Sequence, residues 1–254
     1  MAGWLRSVLW TLSLATLLPA QSLNIYCEDA PPNQFVGPDG QLTGMCVELV
    51  REIQRRAGNT DPIQVVPWAR GYEEVRNKPN TVLFTMARTA QRNDAFQWVG
   101  PILELSFSFY VRSDSPLKIA SLEDAKRLTG IGVYTNDVRD QVLTQAGFTN
   151  LERTNNNIQN FKKLMSGRLD AYAGSSISID GESKDAGYKA SDVKSTFTFL
   201  KVQLYVALSK GTPKAVVQAW SSAFAAMQKD GTFLKIHRKY YPTAPLPGKA
   251  ITAF

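Results

Sequence analysis

Short β-branched and aromatic runs alternate with amphipathic, helix-spaced stretches along most of this chain, and no other feature narrows its fold as much. Leu23–Glu28 reads as a first strand. Met45–Ala57 puts Cys46, Leu49, Val50, Ile53 and Ala57 on one helical face, and Gly58 stops it. Ile63–Val66 is a short strand ending at Pro67-Trp68; a helix follows to Asn77, and Thr81–Met86 is a third strand. Strands separated by helices imply a mostly parallel sheet with helical crossovers.

The second half repeats the pattern. A β-rich run, Leu105–Val111, is followed by a capping-box-like start at Ser121, a strand over Gly130–Tyr134, and a helix opened by Asn136-Asp137 that ends before Gly147. Asn157–Ser166 reads as a helix, Leu169–Gly174 and Phe199–Leu208 as strands, and Val216–Met227 and Phe233–Tyr240 as closing helices. The expectation is an α/β chain of two units. The runs at 105–111 and 199–208 would be paired crossover strands between a discontinuous first lobe, residues 21–104 with 209–254, and an inserted second lobe, residues 105–208, with a cleft between them.

Residues 1–20 read as a cleavable secretory leader: Arg6 is their only charge, Val8–Leu18 is a short apolar run, and Ala20 offers a small residue at the cut. Leu18 is bulky for its place, and an uncleaved anchor is the alternative. The remaining chain holds 28 basic against 22 acidic residues, which suits capture of acidic solutes. The basic residues are scattered, without the aromatic-interleaved clusters of nucleic-acid binders. Cys27 and Cys46, in an exported chain, read either as a disulfide, which would stabilise by roughly 3 kcal/mol, or as two small buried apolar side chains.

The stretch FTMARTAQRNDAFQWVGP, Phe84 to Pro101, carries the chemistry. Arg88 and Arg92 lie just past the C-terminal end of a strand, the edge at which open α/β sheets bind ligands. A guanidinium grips a carboxylate through two parallel hydrogen bonds. These arginines predict a pocket for a small anion.

Several motifs, in order and spacing, resemble one family. Thr89-Ala-Gln-Arg92 with Phe96 and Gly100-Pro101, Gly40-x-x-x-Gly44 with the helix after it, Gly130-Ile-Gly132-Val133, LMSGRLDA at Leu164–Ala171, and Ala223–Tyr241 with Asp230-Gly231-Thr232 are similar to the type II periplasmic solute-binding proteins of ABC transporters, in the polar amino-acid branch (bacterial extracellular solute-binding family 3-like). The resemblance implies a two-lobed Venus-flytrap fold, a small carboxylate-bearing ligand held in the cleft, no cofactor, and a closed form that docks on a membrane permease. It also implies a periplasmic monomer that is not an enzyme.

The same resemblance assigns the carboxylate clamp to Arg92, against a plain surface salt bridge. Arg88 departs from the family pattern and reads either as a second anion contact or as a structural partner for Glu104, Asp94 or the C-terminal region. Trp68 matches an aromatic wall or packs in the core, and Arg70 is a weaker contact. Glu28 and Asp29, after the first strand, could hold an ammonium or form a solvated turn. Asn136 and Asp137 open a helix toward the ligand, or Asp137 caps it. Ser175-Ser176 stand where relatives carry an ammonium-binding Asp, so Ser175 offers only a hydroxyl.

Two other functions compete. A periplasmic enzyme on this fold, of the cyclohexadienyl dehydratase type, would need an acid or base from Glu28, Glu104 or Asp137. A sensor would report ligand to a membrane receptor. His237, the sole histidine, reads as a surface residue of the last helix, and two cysteines with one histidine argue against a zinc site.

Overall fold

A computed structural model describes residues 22–249; the leader read over residues 1–20 lies outside them. The first half runs β1 (Asn24–Cys27), β2 (Phe35–Val36), β3 (Leu42–Thr43), α1 (Met45–Ala57), β4 (Ile63–Val65), α2 (Trp68–Asn77), β5 (Thr81–Ala87), α3 (Ala90–Asn93) and β6 (Phe96–Arg112). The second runs α4 (Leu122–Lys126), β7 (Ile131–Tyr134), α5 (Val138–Gln145), β8 (Leu151–Thr154), α6 (Asn157–Met165), β9 (Ala171–Ser175), α7 (Ile179–Asp185), β10 (Val193–Ser209), α8 (Lys214–Lys229) and α9 (Thr232–Tyr240).

Eight strands form one mixed sheet in the order β4-β1-β5-β10-β6-β9-β7-β8. The outer strands at each end are parallel to their neighbours, and β6 and β10 lie antiparallel down its middle. At one end β5 pairs with β10 over Leu204–Leu208. At the other, β9 pairs with β6 over Phe107–Tyr110. Between these two registers Glu104–Ser106 face Lys201–Gln203, and the sheet narrows to two strands. This is the two-lobed, two-crossover α/β architecture expected from the sequence.

Each half has its own core. The apolar face of α1, with Leu49, Val50 and Ile53 fully buried, packs with Trp220, Phe224 and Met227 of α8 on the first half of the sheet. Gly58 ends α1 in the left-handed conformation at φ 70°. In the second half Phe109, Ile131, Val133, Leu143 and Phe148 form a separate cluster.

The crossover strands are longer than the sequence suggests. β6 begins at Phe96 rather than Leu105 because the ladder runs through Gly100-Pro101, a pair that reads as a strand end. Val99 faces Val206 and Leu103 faces Leu204, so residues 100–102 bulge against Tyr205 alone. A bulge accepts a proline that cannot donate to the ladder. Gly100 sits at φ 140°, where a Cβ would lie 3.0 Å from the Tyr205 ring. β8, α3 and α7 were not legible in the pattern.

Two other expectations change. Cys27 and Cys46 are both free and buried among the apolar side chains of the first core, so the disulfide reading gives way to the apolar one. Burial pushes the Cys27 thiol up to about 12 and raises that of Cys46. His237 is not on the surface: it is 1% exposed, with its ring between Phe233 and Tyr241. Among the described residues no helix is long and apolar enough to cross a membrane, and no cluster of His, Cys, Asp and Glu could hold a metal ion.

Candidate functional site

The first-lobe wall of the site is built at the ends of β1 and β5. The first turn of α1 pins the loop before it: Met45 N–H donates to Pro32 O and Cys46 N–H to Asn33 O. That close approach requires Gly44, at φ 118°, because a Cβ there would lie 2.5 Å from Asn33 O. Gln34 is thereby held against the end of β5, its Nε2 donating to Thr85 Oγ1 at 3.0 Å. Thr85 is itself a bulge residue, since Met86 and Phe84 face the consecutive residues Tyr205 and Val206. Its φ of 62° is costly for a β-branched residue, on the order of 1–3 kcal/mol.

Arg92 follows on the four-residue helix α3 and is 1% exposed. Its guanidinium lies over the rings of Trp68 and Tyr72, with its carbon 5.6 and 4.9 Å from their centroids. Those rings sit one turn apart on α2 and stack at 5.8 Å. Nε donates to Gln141 Oε1 at 3.0 Å and Nη1 to Ala87 O at 3.4 Å, while Nη2 is buried without a partner. Burial lowers its pKa, but an arginine remains charged.

The second-lobe wall comes from the start of α5. Asp137 caps the helix, its Oδ1 accepting from Arg139 N–H at 2.8 Å and Asp140 N–H at 3.1 Å. Its Oδ2 pairs with Arg139 Nε at 2.5 Å, and both side chains are buried. Arg139 also donates to Ala173 O, Tyr172 OH and Asn157 Oδ1. The charge of Asp137 is therefore met inside the protein. Nearby, Glu182 of α7 accepts from Tyr172 OH at 2.9 Å.

Two chambers open between these walls. The inner one, about 80 Å³, is lined by Arg92, Trp68, Gln34 and Thr85 on one side, by Asp137 and Ser175 on the other, and by Glu28 and Glu182 at its end. The outer one, about 400 Å³, shares Glu28, Ala30, Asn157, Ser178 and Glu182 with it. Burial, then the charges of Asp137 and Glu182, push the Glu28 carboxyl up to about 8 against the pull of Arg139. Burial raises Glu182 as well, with Arg139 and Tyr172 opposing. The walls also touch directly: Trp68 Nε1 donates to Asn136 O at 3.1 Å, and Arg92 bonds Gln141.

Of the residues singled out in the sequence, Arg92, Trp68, Glu28, Asp137 and Ser175 line the inner chamber, and Asp29 lines the outer one. Asn136 contributes its carbonyl to Trp68 rather than a chamber wall. Arg88 lines neither chamber. It follows Ala87 on β5, and the two-residue period sends it to the opposite face, where it bonds Asn93 Oδ1 and lies over Trp98 and Tyr205. Arg70 is exposed on the outer face of α2. Missed in the sequence were Tyr72, which its spacing from Trp68 could have flagged, and Gln34, Arg139 and Glu182, which no local signal marks.

The profile of the Bacterial extracellular solute-binding proteins, family 3, matches residues 24–243. The L-cystine-binding protein TcyJ of Escherichia coli (strain K12) is 24% identical over 216 residues, 83% of this chain and 79% of that protein. Among solved structures, a histidine kinase sensor domain with similarity to periplasmic binding proteins superimposes with a TM-score of 0.79 at 18% identity, covering 89% of this chain and 98% of its own. An ancestral arginine-binding protein bound to arginine gives 0.75 at 22% identity, covering 86% and 97%.

Proposed function

Because the chain belongs to the bacterial extracellular solute-binding proteins, family 3, we propose that it captures a small amino acid, or a related carboxylate-bearing solute, in the periplasm and delivers it as a monomer to the membrane permease of an ABC importer. The observation that carries this reading is Arg92: a buried guanidinium on the wall of the inner chamber, framed by two aromatic rings, whose Nη2 has no protein acceptor. A buried unmet donor is costly, and a ligand carboxylate meets it. Gln34 lines the same chamber, and its Oε1 is an unmet acceptor of the kind that suits the ammonium of an amino acid. The amino-acid names of the relatives support the same class, cystine included.

Capture works by closure of two lobes, residues 21–104 with 209–254 and residues 105–208. The proposed bending segment is the two-strand waist at 104–106 and 201–203. The Trp68–Asn136 and Arg92–Gln141 bonds are the contacts that closure makes. The ligand carboxylate completes Arg92, so binding favours the closed population.

One observation favours a second reading, a cyclohexadienyl dehydratase-like enzyme. Glu28 faces the chamber with a carboxyl raised to about 8, a value suited to proton transfer near neutral pH. A thermal-shift screen of amino acids, dicarboxylates and aromatic acids, with mass spectrometry of the recovered solute, separates the two. A ligand at a hundred times its Kd adds ~2.7 kcal/mol, a rise of roughly 5–10 °C for a chain of this size. An amino acid recovered intact is the expected result; a chemically altered hit would make the enzyme reading the correct one.

A further inference from the structure

A further cavity lies behind the waist. It holds about 240 Å³ and is walled by the waist strands, by Ser176 and Ile177 after β9, and by α9 with the segment that follows it. β6 stands between it and the inner chamber. Leu105 lies on both walls, Phe107 lines the chamber, and Glu104 and Ser106 line the rear cavity. The two-residue period of a strand sends neighbours to opposite faces in this way.

The segment after α9 is tied down across the waist. Arg238 Nη1 donates to Pro242 O at 2.6 Å and to Ala244 O at 3.0 Å. Further on, Gly248 N–H donates to Glu104 Oε2 at 3.3 Å, and Gln203 Nε2 donates to Lys249 O at 3.0 Å. Both strands of the waist thus bond this segment, which gives the cavity a built wall.

His237 lines the cavity and is 1% exposed, yet neither Nδ1 nor Nε2 has a hydrogen-bond partner. The hydroxyl of its ring neighbour Tyr241 donates elsewhere, to Asn33 Oδ1 at 2.6 Å. Buried polar groups are satisfied with few exceptions, and each exception needs a cause. Burial, then the charge of Arg238, lowers the pKa of His237, so its ring is uncharged at neutral pH. A neutral imidazole presents one donor and one acceptor nitrogen. An ammonium only donates and a carboxylate only accepts, whereas a hydroxyl or a carboxamide does both. The rest of the lining agrees. Leu103, Leu105, Ile177 and Pro245 give it apolar surface, and the exposed Glu104 and Lys201 bring one charge of each sign. A cavity of about 150 Å³ takes a benzene ring, so this one has room for a ring with a head group.

We propose that the rear cavity is a second small-molecule site, separate from the inner chamber, for an uncharged molecule with an apolar body and a hydroxyl or carboxamide head that bonds His237. It stands independently of the amino-acid reading above.

His237 is the sole histidine, so its imidazole gives a single signal in a proton–carbon NMR spectrum of the full chain. The probes are benzyl alcohol and benzamide, with benzylamine and benzoate as their charged counterparts. The uncharged probes are expected to move the signal to saturation at concentrations at least about tenfold below those the charged probes need. Ala244→Trp places a large ring on the cavity wall at a half-buried position and should abolish the shift while keeping the signal. His237→Phe should lower the affinity for benzamide by about tenfold in calorimetry. A signal that moves equally with all four probes, or moves in Ala244→Trp as in the parent, would overturn the site. No movement with any probe would mean that water alone meets His237, and would overturn it too. The four-probe comparison uses the parent chain, so it decides even if neither variant folds.

Discussion

Arg92 and Arg139 are both buried, both lie over aromatic rings, and both line the inner chamber, but they differ in what meets them. Arg139 is surrounded: a carboxylate, a backbone carbonyl, a phenol and an amide share its donors. Arg92 has an amide oxygen and a long contact to a carbonyl, and one of its nitrogens has nothing. Burial and position alone would rate the two equally. The count of satisfied donors separates a residue whose bonds are met within the second lobe from the one proposed to meet a ligand.

The largest effect expected from this contrast is on stability. Arg139→Ala leaves Asp137 buried without its partner and should cost about 3–5 kcal/mol, read as a lower midpoint in urea unfolding. A midpoint within error of the parent would remove the structural role from Arg139.

Glu28 tests whether Arg139 is fully spent. Its neighbours are Asp137, Arg139, Glu182 and Tyr134, and its folded pKa of about 8 lies above the ordinary value of 4.5. The stabilising proton is fully present below 4.5 and is lost as pH rises toward 8, so the ligand-free protein should weaken by on the order of 2–4 kcal/mol across that window. Glu28→Gln should flatten the slope. A slope between pH 5 and 8 that Glu28→Gln leaves unchanged would show that Glu28 does not carry it.

Arg92→Ala reverses the pattern of Arg139→Ala. Affinity for the ligand should fall by about 10- to 100-fold, from the loss of ~1.5–3 kcal/mol, while the unfolding midpoint stays close to the parent. A large loss of stability with little loss of affinity would make Arg92 a structural residue after all. The smallest effect belongs to Trp68→Phe. It keeps an aromatic face under Arg92 but loses the Nε1 bond to Asn136 O across the cleft, so affinity should drop by about 2- to 10-fold in the same titration.

The place of Arg92 on the chamber wall was legible because two local signals coincide there: a buried strand ends and a guanidinium follows. The same logic applied to Arg88 fails, since β5 extends to Ala87 and the strand period turns Arg88 away. The length of β6 was hidden by a proline that only a bulge can accommodate. α7, sequence IDGESKD, has too few apolar residues to show helical periodicity, so Glu182 carried no mark.

What the sequence determined by itself is the alternation of strands and helices, the two cores, and an arginine just past the end of a buried strand. These follow from local spacing, because side-chain period and burial are properties of neighbouring residues. Which arginine is satisfied, which carboxylates share a chamber, and whether the cysteines bond were decided only in the tertiary structure. Gln141 lies 49 residues from Arg92, and Ala173 lies 34 from Arg139. A donor's partner is fixed by where distant strands and helices end in space, and no spacing along the chain encodes that.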